Sequence, residues 1–261
     1  MGALFWAVVA GARPIAPEAL SSLPPAQVVI LGEVHDNPLH HENQAMAVAS
    51  LQPTAIVFEM LTPEQAARAT SDLRGDADAL ATALGWAESG WPDFALYHPI
   101  FVAAPEAAII GAAVPRTEAR RAFDEPLAEV FGPGAASFGL DRALGAEDQA
   151  GREAEQMAVH CDALPEAILP GMVAAQRLRD AVLARAAIEA VAAHGAPVVV
   201  ITGTGHARRD IGVPAKIARA APELSVLSVG QLESDPGPDA PFDLWIVTDP
   251  HPRPDPCAAF R

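Results

Sequence analysis

The sequence predicts an α/β protein with a largely parallel central sheet, helices on both faces and an added helical insertion. Six apolar segments have the length and composition of buried strands, and segments of helical composition separate several of them. A parallel sheet that is covered on both faces is built from such nearly continuous apolar strands. The predicted strands are residues 28–31, 55–58, 107–112, 198–202, 224–229 and 244–247.

Helix signals accompany several of these strands. Residues 41–51 are rich in Ala, Met and Gln, which favours a helix. Thr62 precedes Pro63 and stands three residues before Gln65, so these residues predict a capped helix start with a capping box. A further helix is expected from Val213 to the next strand.

The middle of the chain lacks a strand pattern. Residues 146–160 and 165–193 are alanine-rich and have helical character. We expect one α/β domain over residues 1–261, with a helical insertion at about 114–195 that acts as a lid or subdomain over the strand ends. The tail, residues 248–261, has too many prolines for a helix or a central strand and should be extended.

Composition excludes some classes of partner. The 261 residues carry a formal net charge of −16, which argues against binding to a nucleic-acid backbone. No apolar run reaches the roughly 20 residues that a membrane span requires. Residues 3–10 have the composition of a signal h-region or of a first strand, and the absence of a preceding Lys or Arg favours the strand.

The two cysteines, Cys161 and Cys257, are too few and too distant for a zinc motif. They are consistent with two buried thiols or with a single disulfide that ties the tail to a middle helix. An exported protein would favour the disulfide.

Ionisable side chains follow three of the predicted strands. Glu33 and His35 follow the first, Glu59 follows the second, and His206 follows residues 198–202. The carboxyl ends of parallel strands line the crevice in which α/β proteins bind ligands. Each residue alone is more often a polar cap, but four such groups at adjacent strand ends usually pair or bind something.

This cluster has two chemical interpretations. Glu33, His35 and His206 could ligate a divalent metal. Together with Glu59 they could also serve as the acid, base and orienting groups of a hydrolase.

Other candidates lie outside the cluster. Tyr97, the single tyrosine, adjoins His98, and phenolate and imidazole both ligate ferric haem iron. On sequence alone a packed aromatic with a bonded hydroxyl is the favoured interpretation of Tyr97. His40 and His41 adjoin a helix start, where histidines are more often surface residues than ligands.

Basic and amide side chains offer partners for an anionic ligand. Arg179 and Asp180 are adjacent, and such a pair is usually an internal tie. The candidates for the anion are Arg116, Gln176, Arg179 and Arg208.

Several familiar motifs are missing from the sequence. Arg208 stands where a dinucleotide fingerprint requires its third glycine, and there is no Walker A motif, nucleophile elbow or c-type haem attachment site. A P-loop enzyme, a serine hydrolase and a c-type cytochrome are therefore poor interpretations.

Five segments in order resemble ChaN-like haem-binding proteins over nearly the whole chain, from about Gly11 to Cys257. Residues 30–38 (ILGEVHDNP) with His41, and then 58–60, resemble the start of that family. The later matches are residues 91–100, residues 169–172 with Gln176, Arg179 and Asp180, residues 203–208 with 212–214, and residues 253–257.

The family belongs to a wider group with Tiki-type metalloproteases, TraB-like proteins and erythromycin-esterase-like hydrolases. Those relatives resemble one another in a Gly-Glu-x-His motif and a later Gly-x-x-His motif. The matching residues here are 32–35 and 203–206.

The resemblance implies an α/β core with a helical subdomain in an exported, iron-regulated protein that binds haem, and it leaves open a homodimer with haems between subunits. It implies a periplasmic or outer-membrane location, although no lipobox cysteine stands near this N-terminus. The iron ligand would come from Tyr97, His98 or the His35/His41 group. Arg116, Arg179 and Arg208 would bind the propionates. The alternatives are the metal-dependent hydrolase and an inactive scaffold that keeps the cluster for structure.

Overall fold

The structure, a computed structural model, describes residues 12–255 and 257–258. Within these residues seven strands form one sheet, every neighbouring pair is parallel, and helices cover both faces. The predicted α/β class is confirmed. The strands are β1 (Arg13–Pro14), β2 (Val28–Glu33), β3 (Ala55–Phe58), β4 (Ala108–Gly111), β5 (Val198–Gly203), β6 (Val226–Leu232) and β7 (Leu244–Val247).

Helices connect the strands and fill the middle of the chain. They are α1 (Pro38–Leu51), α2 (Pro63–Ala66), α3 (Ala77–Leu84), α4 (Phe94–Ala103), α5 (Arg116–Asp124), α6 (Leu127–Phe131), α7 (Ala146–Val159), α8 (Leu169–His194) and α9 (Val213–Ala220).

The six predicted strands all form, with ends shifted by a few residues at most. The sequence gives no signal for β1, because two residues at a sheet edge carry no apolar periodicity. The strand considered at residues 3–10 lies outside the described residues. The predicted capping box at Thr62 and Gln65 forms, although the helix that follows, α2, has only four residues. The helix expected at 41–51 begins earlier, at Pro38, because the Asn37 side chain caps it.

The topology places a crevice at the middle of the sheet. The strand order is β1-β7-β6-β2-β5-β3-β4, so β2 and β5 are neighbours. The chain leaves β2 through α1 towards β3 and leaves β5 through α9 towards β6, on the opposite side. Ligands of open α/β sheets bind at such a switch point, outside the carboxyl ends of the strands.

Alternate residues of the central strands build the two cores, as the period of a strand requires. On β2, Val29 and Leu31 face the core that α1 and α4 cover, where the rings of Phe58 and Phe101 stack at 4.6 Å. Val28 and Ile30 face the opposite core, which α5, α8 and α9 cover.

Residues 114–195 hold α5 to α8. Helix α8 is about 39 Å long and packs against β3, β4 and β5, so this segment supplies much of the cover on one face. Helix α7 packs on α8, and none of its fourteen residues is buried. The role of the insertion at about 114–195 as a lid or subdomain remains a prediction.

The tail is fastened to the body of the protein. A disulfide joins Cys257 to Cys161, just after α7, which decides between the two interpretations of the cysteines. The guanidinium of Arg253 forms ion pairs with Asp36 and Glu233. No helix in the described part of the chain is long and apolar enough to cross a bilayer.

Candidate functional site

Two buried acids stand at the ends of strands around the switch point. Glu33 is the last residue of β2, and Glu59 follows β3 directly. Strand β5 lies between them and ends at Thr202 and Gly203. Both carboxylates lie within the protein, 2% and 8% exposed, so each needs partners to offset its lost hydration.

The site has two halves, and the first is centred on Glu33. Its Oε1 accepts hydrogen bonds from His35 Nδ1 at 2.8 Å and from the Tyr97 hydroxyl at 2.9 Å. Its Oε2 is buried and accepts no hydrogen bond from the described residues. Nδ1 of His41 lies 3.6 Å from this oxygen and also lacks a hydrogen-bond partner among those residues.

The hydrogen bond of His41 shows which of its ring nitrogens carries a hydrogen atom. Its Nε2 lies 2.9 Å from the carbonyl oxygen of His35, so that nitrogen must donate. The other nitrogen, Nδ1, faces Glu33.

Glu59 and His206 form the second half. Oε2 of Glu59 accepts hydrogen bonds from the Thr202 hydroxyl at 2.6 Å and the Gly203 amide at 2.8 Å. His206 lies between two acids, with Nδ1 at 2.6 Å from Asp180 and Nε2 at 3.5 Å from Glu59. Asp180 reaches the site from α8.

Burial and the acid neighbours act in opposite directions on His206. Burial disfavours the imidazolium, but Glu59 and Asp180 outweigh it and raise the pKa of His206 to about 10. For Glu59, burial also disfavours the charged form, yet His206 and the other partners hold the pKa of this carboxyl well below its usual range. The two groups therefore form a charged pair at neutral pH.

His35 is the half-exposed member of the cluster. Its side chain is 34% exposed, and its ring lies 4.8 Å from that of Trp91. Burial lowers the pKa of His35, but the hydrogen bond and charge of Glu33 more than compensate and raise it. A methyl group at Gly203 would lie 2.9 Å from His35 Nε2, so glycine is what lets the ring rest on the end of β5.

The predicted iron ligands occupy different environments. Tyr97 is fully buried, and burial with the charge of Glu33 raises its pKa far above the usual value. His98 lies with Nε2 at 2.9 Å from the carbonyl oxygen of Arg74. The expectation that His40 and His41 are surface residues was wrong, because the start of α1 turns both inward. His40 bonds the Val34 amide and the Thr248 hydroxyl.

Two adjoining clefts flank α8 and together form what we call the basic groove. The first has a volume of about 220 Å³ and the second about 360 Å³, and Gln156 and Gln176 line both. The first is lined by Arg116, Ala119, Arg120, Phe123, Met172, Ala175 and Arg179, and the second by Arg152, Glu155, Ala158, Val159, Val173, Asp180, Gly205, Arg208 and Ile211.

The groove gathers the four predicted anion-binding residues. Among the described residues no carboxylate forms an ion pair with Arg116 or Arg179, whereas Arg208 pairs with Glu155 and Asp210. The expected tie between Arg179 and Asp180 does not form, because Asp180 faces His206 and Arg179 bonds Gln176.

The metal interpretation finds no support. No group of three His, Cys, Asp or Glu side chains within residues 12–255 and 257–258 is arranged to hold a metal ion. Glu33 Oε1 already accepts two hydrogen bonds, and His206 Nδ1 already faces Asp180. Glu33 Oε1, His35 Nδ1 and His206 Nδ1 are therefore each engaged by another side chain.

Sequence reasoning missed two contributions to the site. The sequence suggests that Asp180 pairs with Arg179, because the two residues are adjacent. No local pattern on the helix indicates the contact that Asp180 makes with His206, in the distant loop after β5. Arg120 was overlooked, although its spacing of four from Arg116 puts both on one face of α5.

The fold and the site define a doubly wound α/β protein with an acid–histidine cluster at its switch point and a basic groove beside it. The sequence matches the family described as haem-binding uptake, Tiki superfamily, ChaN, over residues 19–217. The chain belongs to this family. No curated protein matches it.

Solved structures resemble the fold. The structure described as cofacial haem binding to ChaN of Campylobacter jejuni has a TM-score of 0.64 and 20% identity, over 86% of this chain and 87% of that one. The type III effector HopBA1 has a TM-score of 0.43 and 13% identity, over 90% of this chain and 92% of that one. The first likeness supports the fold, and the second carries no further argument.

Proposed function

We propose that this protein binds haem in haem or iron uptake, and that the basic groove holds the ligand at the carboxyl ends of the strands and beneath α7. The observation that carries the proposal is the set of arginines at the groove, Arg116 and Arg179, that form no ion pair with a carboxylate of the described residues. In a chain with a net charge of −16, acids are abundant, so arginines left unpaired point to an anionic ligand.

The lining of the groove fits the chemistry of haem. Haem is a flat apolar ring with two carboxylates at one edge. Phe123, Met172 and Ala175 offer apolar surface, and Arg116 and Arg179 offer cations beside it. In the second cleft Val159 and Val173 continue the apolar surface, with Arg152 at its rim. Arg208 is a weaker partner for a propionate, because Glu155 and Asp210 already neutralise it.

An extracytoplasmic location accompanies this function. The family's role in haem uptake supports it, and so does the disulfide between Cys161 and Cys257, because such bonds persist in oxidising compartments. The homodimer that the resemblance left open stays a prediction. A haem-dependent doubling of mass in solution would support it.

Haem titration with charge-reversal variants tests the function. We expect the disulfide-intact chain to bind close to one haem per chain with a shifted Soret band. Arg179→Glu should weaken binding at least tenfold, which corresponds to about 1.4 kcal/mol. Arg68→Glu is the matched control, since this exposed arginine near α2 changes the net charge equally but lies outside the groove.

Two results would contradict the proposal. One is the absence of saturable binding by the wild-type chain. The other is an equal loss of affinity in the groove and control variants, which would reduce the effect to net charge.

A further inference from the structure

We propose that Lys216 is a binding site for carbon dioxide, and that its side-chain amine forms a carbamate whose carboxylate is held by the arginines around it. The inference goes beyond haem binding and does not depend on it. Lys216 is the single lysine among the 17 lysines and arginines of the chain.

Three cationic side chains meet at one short loop segment, Phe138 and Gly139. Nζ of Lys216, on α9, donates to the carbonyl oxygen of Phe138 at 3.1 Å. Nη2 of Arg177, on α8, donates to the carbonyl oxygen of Gly139 at 2.8 Å. The side chain of Arg219, on α9, lies against Gly139 as well, because a methyl group added there would lie 3.0 Å from its Nε. Consecutive Cα atoms are about 3.8 Å apart, so these cationic groups are close neighbours.

This group of cations lacks an acidic partner. A fourth cation, Arg152 on α7, acts on the charges of both Lys216 and Arg177. Neither these three side chains nor Arg219 forms an ion pair with a carboxylate of the described residues. The charge of Asp180 acts on Lys216, but this acid is already paired within the acid–histidine cluster. In a chain with 33 acidic residues, four cations without an ion pair indicate that another anion completes the group.

Arg177 also has an N–H group without an acceptor. The residue is 7% exposed, and its Nε is buried and has no hydrogen-bond partner among the described residues. Its Nη2, in contrast, donates to the carbonyl oxygens of Gly139 and Arg142. A buried donor on a charged group is costly to leave unsatisfied, so a further acceptor is expected beside Arg177.

The same surroundings make the amine of Lys216 reactive. The side chain is half-buried. Burial together with the charges of Arg177, Arg152 and Arg219 lowers the pKa of Lys216 to about 8, although Asp180 opposes this shift. At pH 8 about half of such amines are neutral, whereas an ordinary lysine is almost wholly protonated. Only the neutral amine has a lone pair that can attack an electrophile.

Carbon dioxide suits this amine as the electrophile. It is small and uncharged, so it can reach a half-buried nitrogen. Lys216 lines neither cleft of the basic groove, which argues against a larger substrate. In the reaction the nitrogen lone pair forms a bond to the carbon, one carbon–oxygen bonding pair moves onto oxygen, and the nitrogen loses a proton to water. One neutral amine and one carbon dioxide thus give one carbamate anion and one released proton.

The carbamate supplies what the group of cations lacks. It puts a negative charge where the free lysine is positive or neutral, so its interaction with Arg177, Arg152 and Arg219 becomes attractive. Its two oxygens are acceptors, and Arg177 has a buried N–H group without one. Hydrogen bonds between a guanidinium and a carboxylate are among the strong ones in proteins.

Nuclear magnetic resonance with ¹³C-enriched carbon dioxide and bicarbonate at pH 8 tests the proposal. We expect the wild-type chain to give a carbamate carbon signal. Lys216→Arg should lose this signal, because a guanidinium keeps the positive charge and can still donate to Phe138 but does not react with carbon dioxide. The α-amino group, which can also form a carbamate, is present in both proteins and gives the background. Lys216→Gln is the second variant if the first is poorly folded.

Arginine variants test the surroundings of the amine. Arg219 is exposed, so Arg219→Gln should fold normally. It should lower the carbamate fraction several-fold, because the amine becomes more protonated and the carbamate loses a partner. Arg68→Gln is the matched control, since this exposed arginine lies outside the group, and it should leave the signal unchanged.

Three results would overturn the proposal. They are the absence of a carbamate signal from the wild-type chain, an equal signal from Lys216→Arg, and equal signals from the Arg219→Gln and Arg68→Gln variants. None of these measurements involves haem, so this inference and the proposed function can fail separately.

Discussion

Asp180 and His206 join two distant parts of the chain by a short contact between charged groups. Oδ1 of Asp180, on α8, lies 2.6 Å from Nδ1 of His206, in the loop after β5. The same aspartate lines the second cleft of the basic groove. The contact therefore links the acid–histidine cluster to the groove wall.

This contact predicts a pH-dependent stability. The pKa of His206 is raised to about 10 in the folded protein, from an ordinary value of 6.5. The stabilisation is therefore complete below pH 6.5 and is lost as the pH rises through about 10. We expect Asp180→Asn to lower the free energy of unfolding by about 1–3 kcal/mol at pH 6 and by clearly less above pH 10.

Urea denaturation of both proteins at several pH values measures the effect. The difference between wild type and Asp180→Asn is the useful quantity, because groups that titrate alike in both proteins cancel from it. Burial lowers the pKa of Lys216 to about 8 and the charge of Asp180 opposes that shift, so the part of the difference that comes from Lys216 is also lost as the pH rises, through about 8. A difference that stays constant from pH 6 to pH 10.5 would contradict the prediction.

Tyr97 should not ionise in the folded protein. Burial and the nearby charge of Glu33 raise its pKa, and an ordinary tyrosine titrates near pH 10. Because the chain has a single tyrosine, tyrosinate absorbance reports on this residue alone. We expect the signal to appear only when the protein unfolds at high pH, and the Tyr97→Phe variant supplies the baseline. Tyrosinate absorbance near pH 10 with an intact circular dichroism spectrum would contradict the buried hydrogen bond.

The sequence predicted the sheet and the meeting of Glu33, His35, Glu59 and His206 for a simple physical reason. Each strand is a run of apolar residues, and in a parallel sheet the residues that follow such runs meet at one edge. The apolar pattern of each strand is local, and few rules govern how parallel strands are connected in a sheet. The same reasoning placed the histidine pair at the start of α1 wrongly, because burial of that helix end depends on the tail and on Thr248.

Partners of individual side chains were harder to predict. Asp180 and Arg179 are adjacent in the sequence, but the side chains of successive residues on a helix point about 100° apart, so the two do not face each other. The contact with His206 depends on how α8 crosses β5, which no local pattern encodes. Likewise, the sequence cannot show that Arg116 and Arg179 pair with no carboxylate of the described part of the chain, because this depends on where the surrounding acids lie in the folded protein.

Gly203 controls the position of the His35 ring. An added methyl group would lie 2.9 Å from Nε2 and 3.2 Å from Cε1 of that ring. We expect Gly203→Ala to displace the imidazole and to weaken its hydrogen bond with Glu33, with a smaller effect on the fold, because the contact is with a half-exposed side chain. Gly75→Ala is the control, since a methyl group there contacts nothing within 4 Å. Equal chemical shifts of the His35 ring in nuclear magnetic resonance spectra of the two variants would contradict the placement of His35 against β5.

The disulfide should stabilise the protein through the long loop that it closes. Cys161 and Cys257 are 96 residues apart, and a cross-link over such a distance removes much of the freedom of the unfolded chain. We expect a double replacement by serine to lower the free energy of unfolding by about 2–5 kcal/mol. Helix α7 should loosen most, because it has no buried residue and ends beside Cys161. Hydrogen exchange by mass spectrometry can measure this: faster exchange confined to α7 and residues 248–255 supports the prediction, and unchanged protection of α7 contradicts it.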